Sequence, residues 1–168
     1  MPAIEGDEVN FKIRKMMAED LDDILRIEQV SFPTPWSRQA YLSELQNDFA
    51  YYVVAVVDEQ VVGYAGMWLL VDEAHVTNVA VAPDYRGRQL GEYLLKWLME
   101  IAVLRGARAI TLEVRPSNRP AQRLYTRLGF VAAGLRRGYY TDTGEDAIIM
   151  WKYLPTHASE EITNESGE

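Results

Sequence analysis

At 168 residues, 48% of them hydrophobic, the chain carries enough apolar side chain for one compact domain with a sizeable core and too little length for a second. A formal net charge of -8 and a pI near 4.8 argue against a grip on nucleic acid, which needs clustered Lys and Arg, and suit a cationic partner instead. The absence of cysteine removes disulfides, thiolate zinc sites and cysteine nucleophiles together, and fits a reducing compartment.

Residues Met1 to Asn10 place acidic side chains where a secretory signal carries positive charge, and no apolar run reaches the ~20 residues of a membrane span. A flexible N-terminus on a cytoplasmic protein without membrane association is expected. Phe11 to Met16 alternates apolar and basic residues as a half-buried strand does; Leu21, Ile24, Leu25 and Ile27 then follow at helical spacing, behind acidic residues that suit a helix start. Pro33 and Pro35 interrupt regular structure in the aromatic segment Ser31-Phe32-Pro33-Thr34-Pro35-Trp36-Ser37, after which Ser37 caps a helix running to about Gln46. Tyr51 to Val57, Val61 to Leu70 and Ala74 to Val81 are β-branched and aromatic runs separated by short polar turns, the pattern of a meander.

Leu90, Leu94, Leu95, Leu98, Ile101 and Ala102 give a helical stripe that ends at Arg105 and Gly106. Ala109 to Val114 reads as a short buried strand. Ser117 or Asn118 then caps a helix with Pro120 in its first turn and Gly129 just past its end. Phe130 to Arg137 and Asp146 to Trp151 close the order βααβββαβαββ, too irregular for a doubly wound sheet and suited to a mixed sheet flanked by helices. Beyond Leu154, Pro155 opens a tail with Glu160, Glu161, Glu165 and Glu168 but no Lys or Arg, and residues 155–168 are expected to be disordered.

Between the strand ending at Val81 and the helix beginning near Leu90 lies Ala82-Pro83-Asp84-Tyr85-Arg86-Gly87-Arg88-Gln89-Leu90-Gly91. The unpaired N–H groups of a helix N-terminus attract phosphate, and Arg86 or Arg88 can add charge-assisted bonds. A Gly- and Arg-rich turn is also what a solvated loop looks like. Neither a Gly-Lys-Ser/Thr phosphate loop nor the dinucleotide Gly-x-Gly-x-x-Gly pattern is present.

In Asn78-Val79-Ala80-Val81-Ala82-Pro83, in the Arg86-to-Gly91 turn, and in Asn118 through Tyr125-Thr126-Arg127-Leu128-Gly129-Phe130, the chain resembles the GNAT superfamily of acetyl-CoA-dependent N-acetyltransferases. The resemblance spans about Phe11 to Tyr153. It implies the GNAT fold over residues 11–154: an α+β domain with a central mixed, mostly antiparallel sheet of about seven strands and about four helices. The turn resembles the family's Arg/Gln-x-x-Gly-x-Gly/Ala signature, except that Gln89 stands where glycine is usual. Its side chain must therefore point away from the phosphates, or its φ must be tolerable without glycine's freedom. Leu112-Glu113-Val114-Arg115-Pro116-Ser117-Asn118, Arg136-Arg137-Gly138-Tyr139-Tyr140 and Glu145-Asp146-Ala147-Ile148-Ile149-Met150 look like the RimI type of that family, as does Phe32-Pro33-Thr34-Pro35-Trp36. That type acetylates the N-terminal alanine of bacterial ribosomal protein S18, and archaeal relatives act on broader protein N-termini.

The resemblance implies a CoA pyrophosphate site at Val79, Ala80, Val81, Arg86, Gly87, Arg88, Gln89, Leu90, Gly91 and Glu92, with Asn118 and Tyr125 as further cofactor contacts. It makes Glu113 the candidate general base and Tyr125 the candidate acid for the CoA thiolate. Read as residues alone, Glu113 is more simply an ordinary charged strand end, Tyr125 is equally a core side chain beside Leu124 and Leu128, and Asn118 is a helix cap that could also contact the cofactor. An N–H of the Val79 to Val81 strand is placed to bind the thioester oxygen. Phe32, Trp36, Tyr139 and Tyr140 could line an acceptor groove or simply be core and surface aromatics. An α-amino group with a pKa of ~7.7–8.0 is roughly a tenth neutral at pH 7, so an N-terminal acceptor needs far less help than lysine at ~10.4. His75 is a lone histidine in a strand and His157 lies in the tail, so no metal is expected. The competing functions are a GNAT acting on other protein N-termini or a small amine, and a CoA-responsive binding module; a monomer or weak dimer is expected.

Overall fold

The computed structural model describes residues 4–6 and 9–155. The chain forms two compact units, one of Met1–Trp68 with Val76–Leu98 and the other of Leu69–His75 with Met99–Glu168. Eight strands and four α-helices are present among the described residues.

In the first unit the strands β1 (Ile4–Gly6), β2 (Val9–Lys15), β3 (Ala50–Val57), β4 (Gln60–Leu70) and β5 (Glu73–Val81) lie in chain order, with β1–β2, β2–β3 and β3–β4 antiparallel. The alternation that marks β2 is real: Phe11 and Ile13 are buried while Lys12 faces solvent. Asp58 (φ 47) and Glu59 (φ 66) make the two-residue connection from β3 to β4, with both residues left-handed as a tight hairpin of this hand requires. Helix α1 (Leu21–Ser31) buries Leu21, Ile24 and Ile27 as its stripe predicts. Helix α2 (Arg38–Leu45) starts where Ser37 Oγ accepts from Ala40 N at 3.1 Å. Met16, Leu21, Ile24, Ile27, Tyr41, Tyr52, Val54, Val61, Tyr64 and Ala80 form one buried cluster. Tyr52 lies over Gly66, its register partner on β4, where any Cβ would collide with the ring.

Helix α3 (Leu90–Leu104) buries Leu90, Leu94, Leu95 and Leu98 within the first unit and stops before Gly106, whose φ of 86 suits a helix end. In the second unit β6 (Ala109–Val114) pairs parallel with the start of β5, matching Glu73 to Ala109 and His75 to Thr111. It also pairs antiparallel with β8 (Ala147–Tyr153), which in turn pairs antiparallel with β7 (Val131–Arg136) at the edge. Helix α4 (Arg119–Arg127) is capped as expected, by Asn118 Oδ1 accepting from Ala121 N at 3.2 Å, and is followed by Gly129 at φ 96. Ile110, Leu112, Val114, Phe130, Ala147 and Met150 are among the buried side chains of this unit's strands and turns.

The expected α+β class and the mixed, mostly antiparallel sheet are found, with each expected strand present to within about two residues. Strand β1 is additional. It lies within residues 1–10, which the sequence marks as flexible; residues 1–3 and 7–8 of that stretch are outside the described residues. So is 156–168 of the expected disordered tail.

Candidate active site

The turn from β5 into α3 is built by two left-handed residues and one arginine. Pro83–Tyr85 forms a short 3-10 turn. Arg86 then lies extended, with Nε donating to Val81 O at 2.9 Å and Nη2 to Ser31 Oγ at 3.0 Å. Its guanidinium thus ties the turn to the end of β5, and these donors are spent on the protein. Arg88 sits over the Tyr85 ring, 5.8 Å from the centroid. Gly87 takes φ 77 with open space where a Cβ would stand. Gln89 takes φ 66 and is exposed. Of the two ways for a glutamine to replace glycine in this signature, the second, a φ tolerable without glycine's freedom, is therefore not realised: the backbone keeps the left-handed turn and bears the strain.

The first bond of α3 runs from Tyr93 N to Gln89 O at 3.1 Å. The N–H groups of Leu90 and Gly91 precede it and have no acceptor within the helix. Leu90 anchors the start of the helix in the core, 1% exposed. The Glu92 carboxylate, which would repel phosphate, is 4.0 Å from Lys96 Nζ one turn along. The backbone donors of Leu90 and Gly91, the positive end of a 15-residue helix and open space at Gly87 are a fit for a pyrophosphate. Val79 and Val81 are half-buried and Ala80 is buried on β5, leading into this turn.

Phe32 and Trp36, the acceptor candidates of the first unit, pack partly buried against its core cluster. The Trp36 ring is 5.3 Å from that of Tyr41. What holds this aromatic segment is a residue the sequence reading passed over. Glu28 is 1% exposed and accepts from Trp36 N at 2.9 Å, Tyr64 Oη at 2.7 Å and Tyr41 Oη. Asn78 Nδ2 donates to Tyr41 Oη at 2.6 Å. Burial, then the neighbouring phenol and carboxylate, push the Tyr41 hydroxyl far above the usual phenol range; burial and Glu28 do the same for Tyr64, so both remain donors. The available signal was an acidic residue on the apolar stripe, four positions past Ile24.

The second unit places Glu113 two residues beyond Thr111, the register partner of His75, so that Glu113 and His75 share a face of the sheet. His75 Nε2 lies 2.5 Å from Glu113 Oε2, and Arg136 Nε lies 3.8 Å from Oε1. Burial pushes this carboxyl upward, but the His75 hydrogen bond and charge, with Arg136, outweigh it and hold Glu113 below its ordinary value. The candidate base is thus ionised at neutral pH. His75, which sequence reading left as an isolated histidine, is its partner; only parallel pairing of β5 with β6 reveals this.

Tyr139 and Tyr140 meet edge to face at 5.0 Å, and Arg136 lies 5.8 Å from the Tyr139 centroid. Tyr139 is 43% exposed, and its hydroxyl is raised by burial and by the charge of Glu113. Glu113, Tyr139 and Tyr140 are therefore brought together. Tyr125 on α4 packs 5.9 Å from Phe130, and burial pushes its hydroxyl up to about 12, leaving a protonated phenol across the neutral range. Asn118 caps α4, the local role open to it from sequence. Among the described residues no three His, Asp or Glu side chains are grouped to hold a metal ion, and no helix is long and apolar enough to cross a membrane.

The sequence profile of the acetyltransferase (GNAT) family matches residues 21–130. A Bacillus subtilis protein provisionally named a ribosomal protein bS18-alanine N-acetyltransferase is 45% identical over 140 residues, covering 83% of this chain and 93% of its own. An N-alpha-acetyltransferase of Sulfurisphaera tokodaii is 34% identical over 153 residues, covering 83% of this chain and 91% of that one. The crystal structure of the ribosomal-protein-S18-alanine N-acetyltransferase from Escherichia coli superposes with a TM-score of 0.80 at 36% identity, covering 87% of this chain and 95% of that one.

Proposed function

The chain belongs to the acetyltransferase (GNAT) family, and from that premise we propose that it transfers the acetyl group of acetyl-CoA to a protein N-terminal α-amine, that of the alanine opening ribosomal protein S18. The observation that carries the reading is Glu113, a carboxylate kept ionised by His75 and Arg136 beside the Tyr139–Tyr140 pair. Support for the acceptor comes from the Bacillus subtilis and Escherichia coli relatives, whose names specify S18. A ribosomal acceptor places the reaction in the cytoplasm.

The cosubstrate supplies the activated acetyl thioester. The backbone N–H groups of Arg88 through Glu92 hold its pyrophosphate, with Gly87 leaving room and Arg86 fixing the turn. Val79 to Val81 present backbone N–H to the thioester oxygen, and Asn118 and Tyr125 add contacts from α4. Tyr139 and Tyr140 are acceptor contacts on the second unit, and Phe32 and Trp36 are acceptor candidates on the first. Both substrates are bound together and the amine attacks directly: the N–C bond forms as C–S breaks. Glu113 takes the amine proton and Tyr125 gives its phenolic proton to the departing sulfur. Because an α-amine of pKa ~7.7–8.0 is already partly neutral at pH 7, an ionised carboxylate of low basicity is a sufficient base.

A second reading, broader α-amine acetylation, is favoured by the Sulfurisphaera tokodaii relative. Purified protein with acetyl-CoA is offered peptides carrying the S18 N-terminus, other N-termini or only an internal lysine, together with a panel of small amines. Acetylation of the S18 α-amine ahead of all others supports the first reading, and comparable rates on unrelated N-termini support the second. Turnover confined to lysine or small amines refutes both.

A further inference from the structure

Arg115 is absorbed by none of the roles above, yet it is held by several partners at once. It follows the candidate base by two residues, in the turn leading to α4. Its guanidinium forks onto Asp142, with Nη1 to Oδ1 at 3.1 Å and Nη2 to Oδ2 at 2.8 Å. Nη1 also donates to Thr143 Oγ1 at 3.1 Å and lies 3.7 Å from Glu145 Oε1. The plane of the same group covers the Tyr140 ring, 3.9 Å from its centroid. The segment so gripped is the β7–β8 loop, which carries Tyr139 and Tyr140. That loop is closed on itself by Tyr140 N to Glu145 O at 3.1 Å and Gly144 N to Tyr140 O at 2.8 Å. A second tie joins the same two segments, from Ser117 Oγ to Glu145 Oε1 at 3.0 Å. On its own side, the arginine's turn is pinned to α4 by Gln122 Nε2, which donates to Arg115 O at 3.1 Å and Pro116 O at 2.8 Å.

We propose that Arg115 is a positioning residue for the acceptor: it locks the loop bearing the tyrosine pair to the strand end bearing Glu113, and so sets where the incoming N-terminus lies relative to the base. Exposed acid–base pairs on a surface contribute little, but this one is bidentate, three-quarters shielded at 22% exposure, and stacked on an aromatic face. Lysine reproduces neither the fork nor the stack. The proposal rests on the reading of Tyr139 and Tyr140 as acceptor contacts.

Steady-state kinetics with acetyl-CoA and an S18 N-terminal peptide compare Arg115→Ala, Arg115→Lys, Asp142→Asn, Tyr140→Ala and the Arg115→Ala/Tyr140→Ala double variant, with melting temperatures alongside. Arg115→Ala is expected to raise the peptide KM about tenfold or more while the acetyl-CoA KM stays within about twofold, because only the acceptor loop is released. Arg115→Lys fails to rescue, and Asp142→Asn shows the same selective rise in smaller measure. The double variant is no worse than Tyr140→Ala alone, since both act through one contact. Should Arg115→Ala not fold, Asp142→Asn carries the test. If Tyr140→Ala raises the peptide KM while Arg115→Ala and Asp142→Asn do not, the clamp is overturned and the acceptor reading stands. If Tyr140→Ala leaves the peptide KM unchanged, the acceptor reading itself falls. Equal rises in both KM values, or rescue by lysine, also overturn the proposal.

Discussion

Replacing Gln89 with glycine is predicted to stabilise the protein at no more than a modest loss in affinity for CoA. Gln89 sits at φ 66 and is exposed, so its side chain contributes little packing to offset the left-handed backbone. For a residue with a Cβ that conformation costs roughly 1–2 kcal/mol. Glycine removes this cost but adds back about 0.5–1 kcal/mol of extra freedom in the unfolded chain. The difference is a gain of about 0.5–1 kcal/mol, or ~1–4 °C in melting temperature for a domain of this size. The free turn also becomes looser, which weakens CoA by no more than about fivefold if the full glycine entropy is charged to binding. Proline is the opposite probe. It forces φ near −65° and removes the N–H, and should weaken CoA binding by about tenfold or more. Differential scanning calorimetry and titration calorimetry with CoA measure both quantities. A glycine variant less stable than the parent would refute the strain argument, and a proline variant that binds CoA like the parent would show that this turn does not hold the pyrophosphate.

Glu113→Gln and Tyr125→Phe should each lower kcat by about 10²–10⁴-fold, with the affinity for acetyl-CoA nearly unchanged, as pre-steady-state binding and steady-state rates will tell; unchanged rates in both would remove their assignment. The pH dependence follows from the direction of the Glu113 shift. A carboxyl held below its ordinary value contributes stability that is fully present above the ordinary carboxylate range and is lost as pH falls through the lowered value. His75→Ala removes its hydrogen-bond partner, so the acid limb of kcat/KM should move to higher pH; an unmoved limb would separate His75 from the base. Glu28→Ala strands two buried phenols and the Trp36 N–H, each at about 1–3 kcal/mol, and should lower stability by about 3–5 kcal/mol in urea titration. A loss near that of Tyr64→Phe alone, about 1 kcal/mol, would mean the network is not cooperative.

The caps and stripes were legible because they are local. Ser37, Asn118, Pro120 and Gly129 act on backbone within a turn of themselves, and Leu90, Leu94, Leu95 and Leu98 need only helical spacing to define a buried face. The order of elements, the phosphate turn and the family motifs therefore follow from the chain read in one dimension, as does the identity of Glu113 and Tyr125 as candidates. The partners of these residues do not. His75 meets Glu113 across 38 positions, Glu28 meets Tyr64 across 36, and Arg115 meets Asp142 across 27. Such contacts depend on which strands pair, in which direction and in what register. A one-residue slip of β5 against β6 would send His75 to the opposite face, and no composition or spacing signal records that choice. The backbone at Gln89 is the same lesson at short range: the sequence marks a glycine position held by glutamine, but only the folded turn decides that the φ stays positive. What the sequence determined by itself was the elements and the chemistry available on each; tertiary structure decided which charges neighbour the candidate base Glu113, because proximity between distant residues is a property of packing.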